Sequence, residues 1–108
     1  MSDQIVLEIN AGNKNNWKNC IGTSDRPKCK CGSWEQHWKN FSEAAWPKKC
    51  SKVGCINPAE VGAHVKRGGI SGEWIVPLCK DCNSINSLSF SLEERRILVS
   101  ANRSKTCD

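Results

Sequence analysis

Four of the eight cysteines in this chain of 108 residues fall into two short-spaced pairs, Cys50-x4-Cys55 and Cys79-x2-Cys82. The 23 residues between the pairs contain one histidine, His64. Thiolate sulfur suits a tetrahedral zinc ion, and two such pairs brought together by a folded segment make a closed site of four ligands. Cys50, Cys55, Cys79 and Cys82 are therefore the expected ligands of one structural Zn2+. The competing chemistry for eight cysteines in a short chain is a disulfide framework. Against it, the opening MSDQIVLEIN has no basic stretch followed by an apolar run, so no secretory leader is visible. A reducing, cytoplasmic setting is expected, in which thiols are kept for metal.

The other cysteines, Cys20, Cys29, Cys31 and Cys107, raise the question of a second metal. With His37 they supply enough donors for another zinc, and Cys29-Lys30-Cys31 offers two of them close together. Their spacing is irregular, so unliganded thiols are the simpler reading. Both readings stay open on the sequence.

Composition limits what surrounds these groups. Charged residues make up 25% and hydrophobic residues 38%, which is thin for the core of a small domain. A structural zinc contributes on the order of 10–16 kcal/mol of apparent binding energy that is also folding energy. The formal charge is +5, and four thiolates around one Zn2+ reduce it to about +3. That excess permits contact with DNA or RNA without demanding it. No apolar run approaches the ~18–20 residues of a membrane span, so no membrane association is expected.

The elements that must position these residues read as one α+β domain over residues 1–108. Residues 4–9 alternate as a short strand, and the Asn- and Gly-rich run from Asn10 to Asn19 reads as turn or loop. Cys20 to Cys31 should be irregular. Ser33 and Gln36 have the spacing of a capping box, opening an amphipathic helix with Trp34, His37, Trp38 and Phe41 on one face, expected to cover the cysteine core and to stop between Glu43 and Trp46, before Pro47. Gly54 suits a tight turn between Cys50 and Cys55, bringing backbone N–H groups toward sulfur. Val61 to Val65 and Glu73 to Val76 are expected strands joined by KRGGISG, the second ending at Pro77, with a helix from Lys80 to Leu88. Residues 91–96 read as a helical turn running into an extended segment.

The order of a cysteine pair in a turn, a hairpin carrying Ala63-His64-Val65, and Pro77-Leu78-Cys79-x2-Cys82 at a helix start resembles the treble-clef zinc finger. More narrowly, residues 48–90 resemble the HNH (His-Me finger) endonucleases, whose ββα-metal site is often bracketed by two cysteine pairs. The CGSWEQHW segment is similar to a small bacterial zinc-finger-like family of no established activity. The HNH resemblance implies His64 as general base on the attacking water. It also implies an aspartate before that histidine, where Ala63 stands, an asparagine near Trp74 and Ile75, and a histidine after the fourth cysteine, where Asn83 stands. Alanine binds no metal, and a lone amide is a poor substitute for imidazole or carboxylate.

Three functional readings follow. The favoured one is a non-catalytic zinc-binding module with an HNH-like scaffold, contacting nucleic acid through residues such as Lys66 and Arg67 at the hairpin tip. The second is a divergent metal-dependent nuclease using His64, with Asp81 and Asn83, or His37 from the first helix, helping to hold its ion. The third is a zinc-structured module that binds a protein partner through exposed tryptophan.

Overall fold

The computed structural model describes residues 4–20, 30–86 and 88–107. Five strands, β1 (Val6–Glu8), β2 (Trp17–Asn19), β3 (Val61–Arg67), β4 (Ile70–Leu78) and β5 (Ile97–Ser100), form one antiparallel sheet in the order β1-β5-β4-β3-β2. Helix α1 (Trp34–Ser42) and the single turn α2 (Lys80–Asn83) complete an α+β fold, with a 3-10 turn at Arg103–Lys105. Among the described residues, no helix is long and apolar enough to cross a membrane.

The hairpin is longer than the sequence suggests. β3 and β4 pair from Val61↔Leu78 to Arg67↔Ile70, which leaves Gly68 and Gly69 as the turn. Gly69 has φ +86, a left-handed conformation that glycine adopts without steric cost. β4 also runs through Pro77 to Leu78 instead of ending at the proline. β5 pairs with it only at Trp74 and Ile75, so no ladder bond on that side calls for the missing N–H.

Strand alternation gives the sheet two apolar faces. Trp74, Val76 and Leu78 join Ile9, Trp17, Val65, Phe90, Leu92 and Leu98 in the larger core, which also contains Cys50, Cys79 and Cys82. Ile75 and Val99 point the other way and pack with Trp38, flanked by Trp34, Phe41 and Trp46. The helix α1 thus covers the face opposite the cysteine pairs, not the cysteine core that its apolar stripe is expected to cover. It sits close to the sheet because position 62 is glycine: a Cβ there would lie 2.6 Å from the Trp34 carbonyl carbon and 2.8 Å from the Glu35 nitrogen.

The start of α1 is half a capping box. Ser33 Oγ accepts from the Gln36 N–H at 3.0 Å, but the Gln36 amide donates forward to Asn40 Oδ1 at 2.9 Å. The helix ends at Glu43 in the left-handed conformation, φ 57, ahead of Pro47.

Three further expectations are corrected. The Asn-rich stretch before Cys20 supplies β2, because Trp17 is fully buried and pairs with Arg67. Residues 91–96 form no helical turn. They make one tight turn, closed by the Arg96 N–H on Glu93 O with Arg95 left-handed at φ 74, while other N–H groups bond to distant chain: Leu92 to Lys14 O, Glu93 to Ser51 O and Arg95 to Ile9 O. The helix after Cys79 stops at Asn83 rather than Leu88. Asn19 Nδ2 donates to the carbonyls of Cys82 at 2.8 Å and Ile85 at 2.9 Å, so a side chain from β2 takes acceptors that a continuing helix would use.

Candidate metal centre

The first cysteine pair lies on a knuckle clamped from both sides. The Cys50 N–H donates to Asn57 O at 2.8 Å, the Cys55 N–H to Lys52 O at 3.1 Å, and the Ser51 N–H to Pro77 O at 3.0 Å. Across the knuckle, Val53 N donates to Ser91 O and Glu93 N to Ser51 O. Gly54 has φ +80, so the turn requires a residue tolerant of the left-handed region. Its N–H sits 3.5 Å from Glu93 Oε2, a different use of that donor from the sulfur contact expected.

The second pair opens α2. Cys79 is its N-cap, in extended conformation, and its sulfur accepts from the Cys82 N–H at 3.3 Å. Hairpin pairing carries Leu78 back beside Val61, which returns the chain to the knuckle. The result brings the Sγ atoms of Cys50, Cys55, Cys79 and Cys82 within 4.8 Å of one another.

The sulfur spacing tests the fit to a metal. Cys55 Sγ stands 3.8 Å from Cys79 Sγ and 3.7 Å from Cys82 Sγ. Four sulfurs at ~2.3 Å from a tetrahedral zinc are ~3.8 Å apart along each edge. A disulfide brings its sulfurs to about 2.05 Å. The four cysteines therefore have the spacing of a tetrathiolate metal site and not of disulfides.

The electrostatics agree. Burial pushes the Cys79 thiol up, but the Cys82 N–H and contacts from Cys82, Asn57 and Cys50 outweigh it and bring it down to about 7. Burial, followed by the neighbouring Cys79, Cys50 and Cys55, pushes Cys82 far up, and burial also raises Cys50. The Cys79 thiolate is stabilised by the fold, and Cys50 and Cys82 hold their protons against it. A divalent cation reverses that balance, since zinc binds the deprotonated form of every ligand. Asn57 belongs to this arrangement, with Nδ2 3.7 Å from Cys79 Sγ. On sequence Asn57 reads only as a turn residue, and its position two residues past a ligand cysteine is the one signal that points to more.

His64 lies elsewhere. Its β3 neighbours Ala63 and Val65 face the cysteine core, while His64 pairs with Ile75 of the opposite face. It is 5% exposed, with its ring edge-on to Trp34 at 4.5 Å between centroids. It is not part of the four-cysteine cluster, and among the described residues no group of three metal-ligating side chains includes it. Asp81 and Asn83 are exposed on α2. His37 does not approach them: it is fully buried, 2.8 Å through Nε2 from Ser100 O, and forms a group with Cys31 and Cys107. Burial lowers its pKa against the opposing effect of the Ser100 carbonyl. Of the remaining candidate donors, Cys20 is buried beyond β2 outside that group, and Cys29 lies outside the described residues.

The hairpin-tip cations differ from each other. Arg67 is half-buried, donating through Nε to Asn15 O at 2.7 Å and through Nη2 to Gly12 O at 3.4 Å, so it ties down the loop before β2. Lys66 is exposed and directly opposite Lys18 of β2, a residue that the sequence does not single out because its strand reads as loop. Among the tryptophans, Trp17, Trp38 and Trp74 are buried, and Trp46 packs edge-on to Trp38 with Nε1 donating to Ala59 O.

A small α+β domain with a four-cysteine cluster at metal-binding distance is the class these features define. Compared with models of known protein families, with curated proteins and with solved structures, the chain matches none.

Proposed function

We propose that this chain is a non-catalytic zinc-binding module of treble-clef, HNH-like form that contacts the phosphates of nucleic acid through β2 and β3. The scaffold part is supported by the chain path: a cysteine knuckle, the β3–β4 hairpin and a helix that starts on the second pair. The partner part is carried by one observation, the exposed Lys18 directly across from Lys66. Like charges facing each other on neighbouring strands repel, and a bound anion relieves that cost.

The nuclease alternative needs His64 beside a water and a second ion. Burial under Trp34 keeps solvent from the imidazole, and the position before it is Ala63. The protein-docking alternative needs exposed tryptophan, which the buried Trp17, Trp38 and Trp74 do not offer.

The test is fluorescence anisotropy with labelled single- and double-stranded oligonucleotides across a salt series. Binding that weakens as salt rises is expected, with Lys18→Ala/Lys66→Ala lowering the slope of log K against log salt by about 2, roughly one for each phosphate no longer neutralised. No binding at low salt, or a slope unchanged by the double substitution, removes the nucleic-acid reading. Nicking of supercoiled plasmid with Mg2+ or Mn2+ that is abolished in folded His64→Ala would establish the nuclease instead.

A further inference from the structure

We infer that Cys31, His37 and Cys107 form a second metal site, separate from the four-cysteine centre, that takes a zinc-class divalent ion. Their ligand atoms lie within 4.8 Å of one another although 75 residues lie between the two cysteines. Each comes from a different part of the fold: Cys31 from just before α1, His37 from the first half of α1, and Cys107 from beyond the 3-10 turn that follows β5. Cys31 and Cys107 are half-buried and not joined in a disulfide.

The imidazole is oriented as a ligand requires. Its Nε2 is 2.8 Å from the Ser100 carbonyl oxygen, which can only accept, so Nε2 carries the proton and Nδ1 holds the lone pair. A carbonyl on the far nitrogen is the usual support of a metal-bound histidine, because it sets both tautomer and ring angle. The ring cannot swing, being packed against Trp34 at 4.9 Å and Phe41 at 5.1 Å between centroids. Two thiolates with one imidazole favour zinc over the oxygen-seeking magnesium and calcium.

The site also lies on a different face from the four-cysteine centre, since His37 belongs to the helix covering Ile75 and Val99. One ion cannot serve both groups. The three donors leave a fourth coordination position that the described residues do not fill. Bound metal there fastens the segment after β5 to the start of α1.

Zinc-dependent alkylation of the full chain, mapped by peptide mass spectrometry, tests this directly. Cys31 and Cys107 are expected to resist iodoacetamide when zinc is loaded and to react after chelation; equal reactivity in both states overturns the site. Native mass spectrometry supplies the count. Replacing Cys31→Ser and Cys107→Ser should remove one of two zinc ions with the circular dichroism spectrum retained, and a variant that keeps as many ions as the parent refutes the assignment. Should the variant misfold, the alkylation of the parent still decides, and a Cys31–Cys107 disulfide found in the zinc-loaded protein purified without reductant also counts against the site.

Discussion

At the scale of single residues, the proton state of four thiols governs the centre. Cys79 is drawn down, to about 7, whereas Cys50 and Cys82 are raised. Zinc must displace the protons those raised thiols hold, so binding releases protons and acid opposes it. Zinc affinity, followed by competition with a chromophoric chelator, should therefore fall steadily as pH drops below neutrality, and a pH-independent affinity between about 5 and 8 would exclude thiolate ligation. Replacing Cys79 and Cys82 with serine should cost the ion and most of the fold. The apparent energy of a structural zinc, ~10–16 kcal/mol, is as large as the ~5–15 kcal/mol net stability of a domain. Loss of a cooperative thermal transition together with loss of zinc by native mass spectrometry is the expected result. These four ligands are legible from residue type and spacing. Asn57 is not, because an amide that supports a thiolate from 3.7 Å has no spacing rule of its own.

At the scale of elements, side chains from one segment decide where another ends. Asn19 of β2 holds the carbonyls of Cys82 and Ile85, and it is invisible in a sequence whose composition there reads as loop. Asn19→Ala leaves both carbonyls without this donor and should destabilise by roughly 1–3 kcal/mol, with faster amide exchange in α2 but not in α1. Helix α1 gives a finer contrast. Ser33→Ala should cost about 0.5–2 kcal/mol in chemical denaturation because its hydroxyl caps the Gln36 N–H. Gln36→Ala should cost much less than a capping-box partner would, since its amide reaches Asn40 and not the cap. At Gly62, alanine drives a methyl into the backbone of Trp34 and Glu35, and about 1–3 kcal/mol of destabilisation is expected from overpacking. Helical periodicity shows that α1 has an apolar face. It cannot show which side of a sheet that face will meet.

For the whole molecule, the sheet acts as a partition. The four-cysteine centre lies in the core on one side, and α1, His37 and His64 pack on the other. In the Cys31→Ser/Cys107→Ser chain, where the four-cysteine ion alone is left to strip, the two sides should loosen in sequence before the fold is lost: hydrogen exchange early in chelation should rise first across the knuckle and α2, and across residues 91–93, which share backbone bonds with Ser51 and Val53. Uniform exchange over the whole chain would instead mean that both faces unfold as one unit. Residue type and spacing within short segments are enough to read the α+β class, the hairpin, the helix start at Ser33 and the grouping of Cys50, Cys55, Cys79 and Cys82. The packed fold is needed to see that Trp17 joins the sheet, that the helix after Cys79 lasts one turn, that His64 is shut beneath Trp34, and that Cys31, His37 and Cys107 meet. Each of these rests on pairing or burial between segments far apart in the chain, where local propensity and periodicity carry no information.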